Sequence, residues 1–167
     1  MKTLFEEDLL DSGYELPSSG LCYNLDPDDA KALISEGEWL LAEDELVARE
    51  GNEQRFLYMI VSGSVELSKK DEKGKQQIIA NLGTGDTFGE VAFLRGHIAS
   101  ATSETRGLCI LWRMNHDQLL DFIASHGSLA GQLCLNLAGL LASRLLKENT
   151  VVSKVKMDLE EAILNLR

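Results

Sequence analysis

Gly83-Thr84-Gly85-Asp86-Thr87-Phe88-Gly89-Glu90-Val91-Ala92-Phe93-Leu94-Arg95-Gly96-His97-Ile98-Ala99-Ser100-Ala101-Thr102 is the most informative run in this chain of 167 residues. Its glycines punctuate a loop that leads into one short helical turn, Glu90 to Leu94. Polar residues then carry it back into a strand. Glycine lets the backbone approach a ligand closely, and free N–H groups at a helix start favour anions. Glu90 would not hold an anion. A carboxylate there either accepts from a sugar hydroxyl, as acids do in other nucleotide sites, or ties down N–H groups of its own loop. The run lacks the Gly-Lys-Ser/Thr of NTPase phosphate loops, and its helix is too short for a dinucleotide fold.

Short apolar runs flank it: Trp39–Ala42, Leu46–Ala48, Phe56–Val61, Val65–Leu67, Ile78–Leu82 and Leu108–Met114. Turn signals separate them, among them Gly51-Asn52, Ser62-Gly63-Ser64 and Asp71-Glu72-Lys73-Gly74-Lys75. Leu108, Ile110, Trp112 and Met114 alternate with Cys109, Leu111 and Arg113, which is the period of a strand. Many short strands at close spacing predict a small antiparallel barrel or sandwich. Trp39 and Trp112 lie in strand patterns and read as core.

Helical signals bracket the strands. Residues 1–37 read as helical with breaks. Asp26-Pro27-Asp28-Asp29 makes a helix start, and Gly37 a stop. Asn115 can cap a helix that Ser125-His126-Gly127 breaks. A long helix follows, and Leu141, Leu145, Glu148, Val152, Val155, Leu159, Ala162 and Leu166 form a heptad seam with one polar member. Such a stripe outruns a small barrel, so the helix is expected to pair with a second copy.

Charge is unevenly spread. Residues 1–50 hold 14 acids against 3 Lys or Arg, and residues 51–167 hold 13 against 13. No basic face is spare for phosphates, which argues against nonspecific nucleic-acid binding. The acidic end reads as a solvated face, or as a docking surface for a basic partner. No long apolar run suggests a membrane span or signal peptide. Cys22, Cys109 and Cys134 read as reduced thiols in a cytoplasm. His97, His116 and His126 share no ligand spacing, so no metal is expected, and no catalytic constellation emerges.

The order of elements resembles the cyclic nucleotide-binding domain, found in bacterial catabolite-activator-type regulators, kinase regulatory subunits and gated channels. The signposts are Glu50-Gly51, Tyr58-Met59-Ile60-Val61-Ser62-Gly63-Ser64-Val65, Gly85-Asp86-Thr87-Phe88-Gly89-Glu90 and the closing long helix. The fold implied is α+β but mainly β: an eight-stranded antiparallel, jelly-roll-like β-roll flanked by N-terminal helices and a long C-terminal helix. The chain then divides into an acidic extension over 1–25, the roll with short flanking helices over 26–127, and a dimerisation helix over 128–167.

The resemblance also implies a ligand site. Phe88–Thr102 would be the phosphate-binding cassette. Phe88 opens it, Gly89 and Glu90 resemble the ribose-binding pair, and Val91 and Ala92 the backbone donors to a cyclic phosphate. Ser100 and Ala101 sit where closing residues would touch that phosphate. Ala99 departs from the pattern, because the family carries an arginine there. Ala cannot replace a bidentate cation. Losing one member of a desolvated ion pair costs roughly 3–5 kcal/mol, and about 1.4 kcal/mol is tenfold in affinity. Arg95, Arg106 and His97 are the candidate substitutes.

Two functions follow. One is a non-catalytic sensor of a small anionic ligand, cyclic AMP or cyclic GMP or a relative, with weakened phosphate binding. It would be a cytoplasmic homodimer, without cofactor or membrane, and without DNA binding because no helix-turn-helix follows the long helix. The other is a degenerate scaffold that acts through a protein partner.

Overall fold

The structure is a computed structural model that describes residues 1–4 and 17–164. Strands β1 (Lys2–Leu4), β2 (Glu38–Glu43), β3 (Leu46–Ala48), β4 (Phe56–Lys70), β5 (Gln76–Leu82), β6 (Thr87–Phe88) and β7 (Thr102–Asn115) form one antiparallel sheet. Its path runs β1-β2-β7-β4-β5, with β3 on β7 and β6 on β4. Helices α1 (Pro27–Ser35), α2 (Glu90–Leu94), α3 (His116–Ser125) and α4 (Gly127–Leu164) complete the described fold, with a 3-10 turn at Gly20–Cys22.

Seven strands appear among the described residues where the resemblance implied eight. The count turns on β4 and β7, long strands that bend to serve both halves of the roll. Ser62-Gly63-Ser64 reads as a turn in sequence but lies inside β4. Its register against β7 shifts on either side of Ser62, and Gly63 takes φ +97°, a backbone that other residues rarely adopt. The signal marks a corner without ending the strand. Lys2–Leu4 is a second departure from the helical reading of the N-terminus, pairing with β2 so that Leu4 faces Trp39. The acidic residues between Phe5 and Leu16 lie outside the described residues.

Strand alternation sorts β4 between two cores. Leu57, Met59 and Val61 pack with Trp39, Trp112 and Phe122 beneath the helices. Tyr58 and Ile60 pack with Leu40, Phe88 and Leu111 inside the roll, as a period of two requires. Both tryptophans are buried, and the Trp112 indole donates to the Ile34 carbonyl at 3.1 Å.

Local chemistry places the helices. Asp26 caps α1 by accepting from the Asp29 amide, with Pro27 at the first position. Asn115 and Gln118 form a reciprocal capping box at α3. Helix α4 lays Leu129, Leu133 and Leu137 against the domain, each worth about 1.5–3 kcal/mol of burial. Asn136 pins the same face by donating to the carbonyls of Leu21 and Tyr23 at 2.8 and 2.7 Å. By length and composition Gly127–Lys154 is apolar enough to cross a membrane. Here its first turns are committed to the roll.

Candidate functional site

Phe88 ends β6 and stacks on Tyr58 of β4, with ring centroids 4.8 Å apart and planes 6° from parallel. The chain then turns at Gly89, φ +82°, into α2. A Cβ at Gly89 would run into the Gln54 amide and stand 2.6 Å from the Phe56 carbonyl. The position therefore excludes larger residues on two counts. Gln54 is itself immobilised, donating to the Phe56 carbonyl at 2.7 Å and accepting from the Phe56 amide.

The far side of the cassette is pinned to the loop before β4. Ala99 donates to the Asn52 carbonyl at 2.9 Å and accepts from the Gly51 amide at 2.9 Å. Glu50 accepts from the Lys70 amide at 2.9 Å. Glu50-Gly51 therefore holds the cassette's exit in place without touching its interior.

These constraints enclose a pocket of about 50 Å³. Phe88, Gly89, Glu90, Val91, Ala92, Ala99, Ser100 and Ala101 all line it. Of these, Ala99 is buried and Ser100 is exposed. Small-molecule sites typically measure roughly 300–1,000 Å³, so the pocket as it stands is nearly closed.

Arg144 of α4 closes it. Its guanidinium donates from Nη1 to Glu90 Oε1 and from Nη2 to the Thr87 carbonyl. Glu90 is buried at 6 % exposure and Arg144 is 30 % exposed on its side chain. Among the described residues Arg144 is the one cation lining the pocket. Glu90 Oε2, Thr87 Oγ1 and Ser103 Oγ are buried without a partner, and Ser103 also lines the pocket. An unpaired buried acceptor is costly, so these atoms favour a polar occupant.

None of the three candidate substitutes lines the pocket. Arg106 pairs with Glu66 and Glu104 on the surface of the sheet. Arg95 is exposed. His97 packs against His116 with ring centroids 5.8 Å apart, and among the described residues no group of three metal-ligating side chains forms. Sequence reasoning missed Arg144. A signal was present, since Arg144 lies seven residues beyond Leu137 and shares its helix face.

The model of the cyclic nucleotide-binding domain matches residues 38–126. Over 83 residues the chain is 36% identical to the potassium channel AKT2 of Oryza sativa subsp. japonica, covering 50% of this chain and 10% of the channel. Over 89 residues it is 32% identical to the cAMP-activated global transcriptional regulator CRP of Haemophilus influenzae, covering 53% of this chain and 40% of the regulator. The structure is similar to that of the Thermus thermophilus catabolite activator protein, with TM-score 0.74 and 25% identity over 83% of this chain and 63% of that one. The chain thus spans less than half the length of either curated relative.

Proposed function

The chain belongs to the cyclic nucleotide-binding domain family, and from that premise we propose that it is a non-catalytic regulatory module in which a small anionic ligand is held jointly by the cassette and by helix α4. The ligand class is a cyclic nucleotide, cyclic AMP or cyclic GMP. The observation that carries this reading is Arg144, a cation delivered into the cassette by the helix that leaves the domain. With alanine at position 99, the phosphate takes its positive charge from α4. Glu90 then exchanges Arg144 for a ribose hydroxyl. Binding and helix position become one equilibrium, which is what a regulatory module needs.

The output surface is the outer part of α4. Leu145, Leu146 and Val152 are more than half exposed. Leu145 and Val152 belong to the expected heptad seam, whereas Leu141 is half-buried. The side chains of Glu148, Val155, Leu159 and Ala162, and all of Leu166, lie outside the described residues. A homodimer paired along this stripe would pass ligand state from one copy to the other. The free thiols among the described residues fit a cytoplasmic module.

The small pocket favours a second reading, a scaffold in which the Glu90–Arg144 pair permanently fills the site. Calorimetric titration with cyclic AMP and cyclic GMP separates the two, with Ala99→Arg run beside the wild type. The sensor reading expects weak binding by wild type and binding strengthened by roughly two decades in Ala99→Arg. Silence from both proteins would leave the scaffold.

A further inference from the structure

The roll has a second open end. A pocket of about 360 Å³ lies between Met1, β3 and the start of β4, walled by Val47, Ala48, Phe56, Tyr58 and Arg113. That volume falls within the roughly 300–1,000 Å³ of small-molecule sites. Ala48 and Gln54 line both this pocket and the cassette pocket, so the two cavities share a wall.

Its polar end is fixed. The Arg113 guanidinium lies 4.0 Å from the centre of the Phe56 ring. It donates from Nε and Nη2 to Glu38 Oε2 at 2.9 and 2.6 Å, so Nη1 is not among its bonds to Glu38. Tyr58, a side chain buried at 3 % exposure, lines the same pocket as Arg113. At the rim Arg55 and Glu53 pair at 2.5 Å and cancel each other.

This arrangement selects a chemical class. Apolar walls and a flat cation over an aromatic ring suit a planar aromatic body. Glu38 already balances the charge of this guanidinium, so what Arg113 keeps for a ligand is the Nη1 donor, enough for one charge-assisted hydrogen bond to a single carboxylate. A phosphate dianion would bring two negative charges beside Glu38 with too little compensation.

We propose that this end of the roll is an effector site for a small aromatic monocarboxylate. Its carboxylate takes Nη1 of Arg113 and the Tyr58 hydroxyl, and its ring packs along Phe56 and Val47. Occupancy reaches the cassette through Tyr58, whose ring stacks on Phe88. The site is separate from the cyclic-nucleotide reading and stands without it.

The test is an NMR titration of the isotope-labelled full chain with benzoate, using benzyl alcohol as the neutral control. Benzoate is expected to shift the Arg113 side chain and the amides of Phe56, Tyr58 and Phe88, and benzyl alcohol to leave Arg113 unmoved. Arg113→Gln should weaken benzoate by at least roughly tenfold. Because that substitution also strips Glu38 of its partner, Val47→Phe serves as a second variant. It fills the pocket with Arg113 in place and should abolish the shifts without lowering the melting temperature. Should neither variant fold, the wild-type shift map decides. Shifts centred on Glu90 and Arg144, equal shifts with benzyl alcohol, no shifts at the pocket residues, or undiminished binding in Val47→Phe would each overturn the proposal.

Discussion

Glu90 and Arg144 stand 54 positions apart in the chain and meet across the mouth of the cassette, the guanidinium bonding the buried carboxylate and the Thr87 carbonyl together. The contact joins Glu90, the one acid lining the pocket among the described residues, to the helix that carries the exposed apolar stripe. Movement of α4 therefore has to break or remake it.

The pair should be stabilising as a unit and costly to halve. Breaking a buried pair by removing one partner costs roughly 3–5 kcal/mol. Arg144 retains some solvent contact, so Arg144→Gln is expected near the low end, at about 3 kcal/mol or somewhat less. Glu90→Gln combined with Arg144→Gln should recover much of that loss. A double-mutant cycle by urea denaturation measures the coupling, and additive effects would show that the pair does not act as a unit.

Gly89→Ala should be worse than a helix or strand Gly→Ala elsewhere. The positive φ costs about 1–2 kcal/mol for a residue with a Cβ. The new methyl also meets the Gln54 side chain and the Phe56 carbonyl, which must shift. Thermal melting should show a clear drop, whereas Gly74→Ala, also at positive φ but with open space around it, should show only the backbone part.

Alkaline pH tests the inner face of the helical layer. Burial pushes the Cys22 thiol from 9.0 up to about 11, and the buried Tyr58 phenol moves in the same direction, chiefly through desolvation. Below the unfolded thiol's pKa both states are neutral and the site's full stability is present. As pH rises from about 9 toward about 11 the unfolded chain ionises first, so stability falls. At about 1.36 kcal/mol per unit the Cys22 share approaches 2–3 kcal/mol. Cys22→Ala should remove that part of the alkaline slope and leave the Tyr58 part. Equal slopes for the two proteins would contradict it.

Much of this fold is legible locally. Asp26-Pro27 and Asn115 start helices because a capping side chain and a proline act within one turn. Leu108–Met114 announces a strand because one face is buried in each core. Three features escape a local reading. Lys2–Leu4 and Thr87–Phe88 are too short to show a period, and they are strands only through their partners. Ser62-Gly63-Ser64 carries turn residues at a bend that β7 bridges. Arg144 belongs to the pocket through the packing of Leu133 and Leu137, which sets the rotation of α4. Nothing near the cassette in sequence points to it.

The outer stripe of α4 predicts an oligomer. Leu145→Glu places a charge where a self-pairing helix needs an apolar side chain. Sedimentation equilibrium should report a dimer for the wild type and a monomer for this variant, with the roll's circular dichroism unchanged. A wild-type monomer at all concentrations would remove the dimer from the proposed function.

The most direct measurement is the affinity for cyclic AMP of wild type and Arg144→Gln, compared by calorimetry under identical conditions. If Arg144 supplies the charge that Ala99 cannot, the variant binds at least roughly tenfold more weakly. Equal or tighter binding by Arg144→Gln would contradict this, because it would make Arg144 a bystander or a competitor for Glu90.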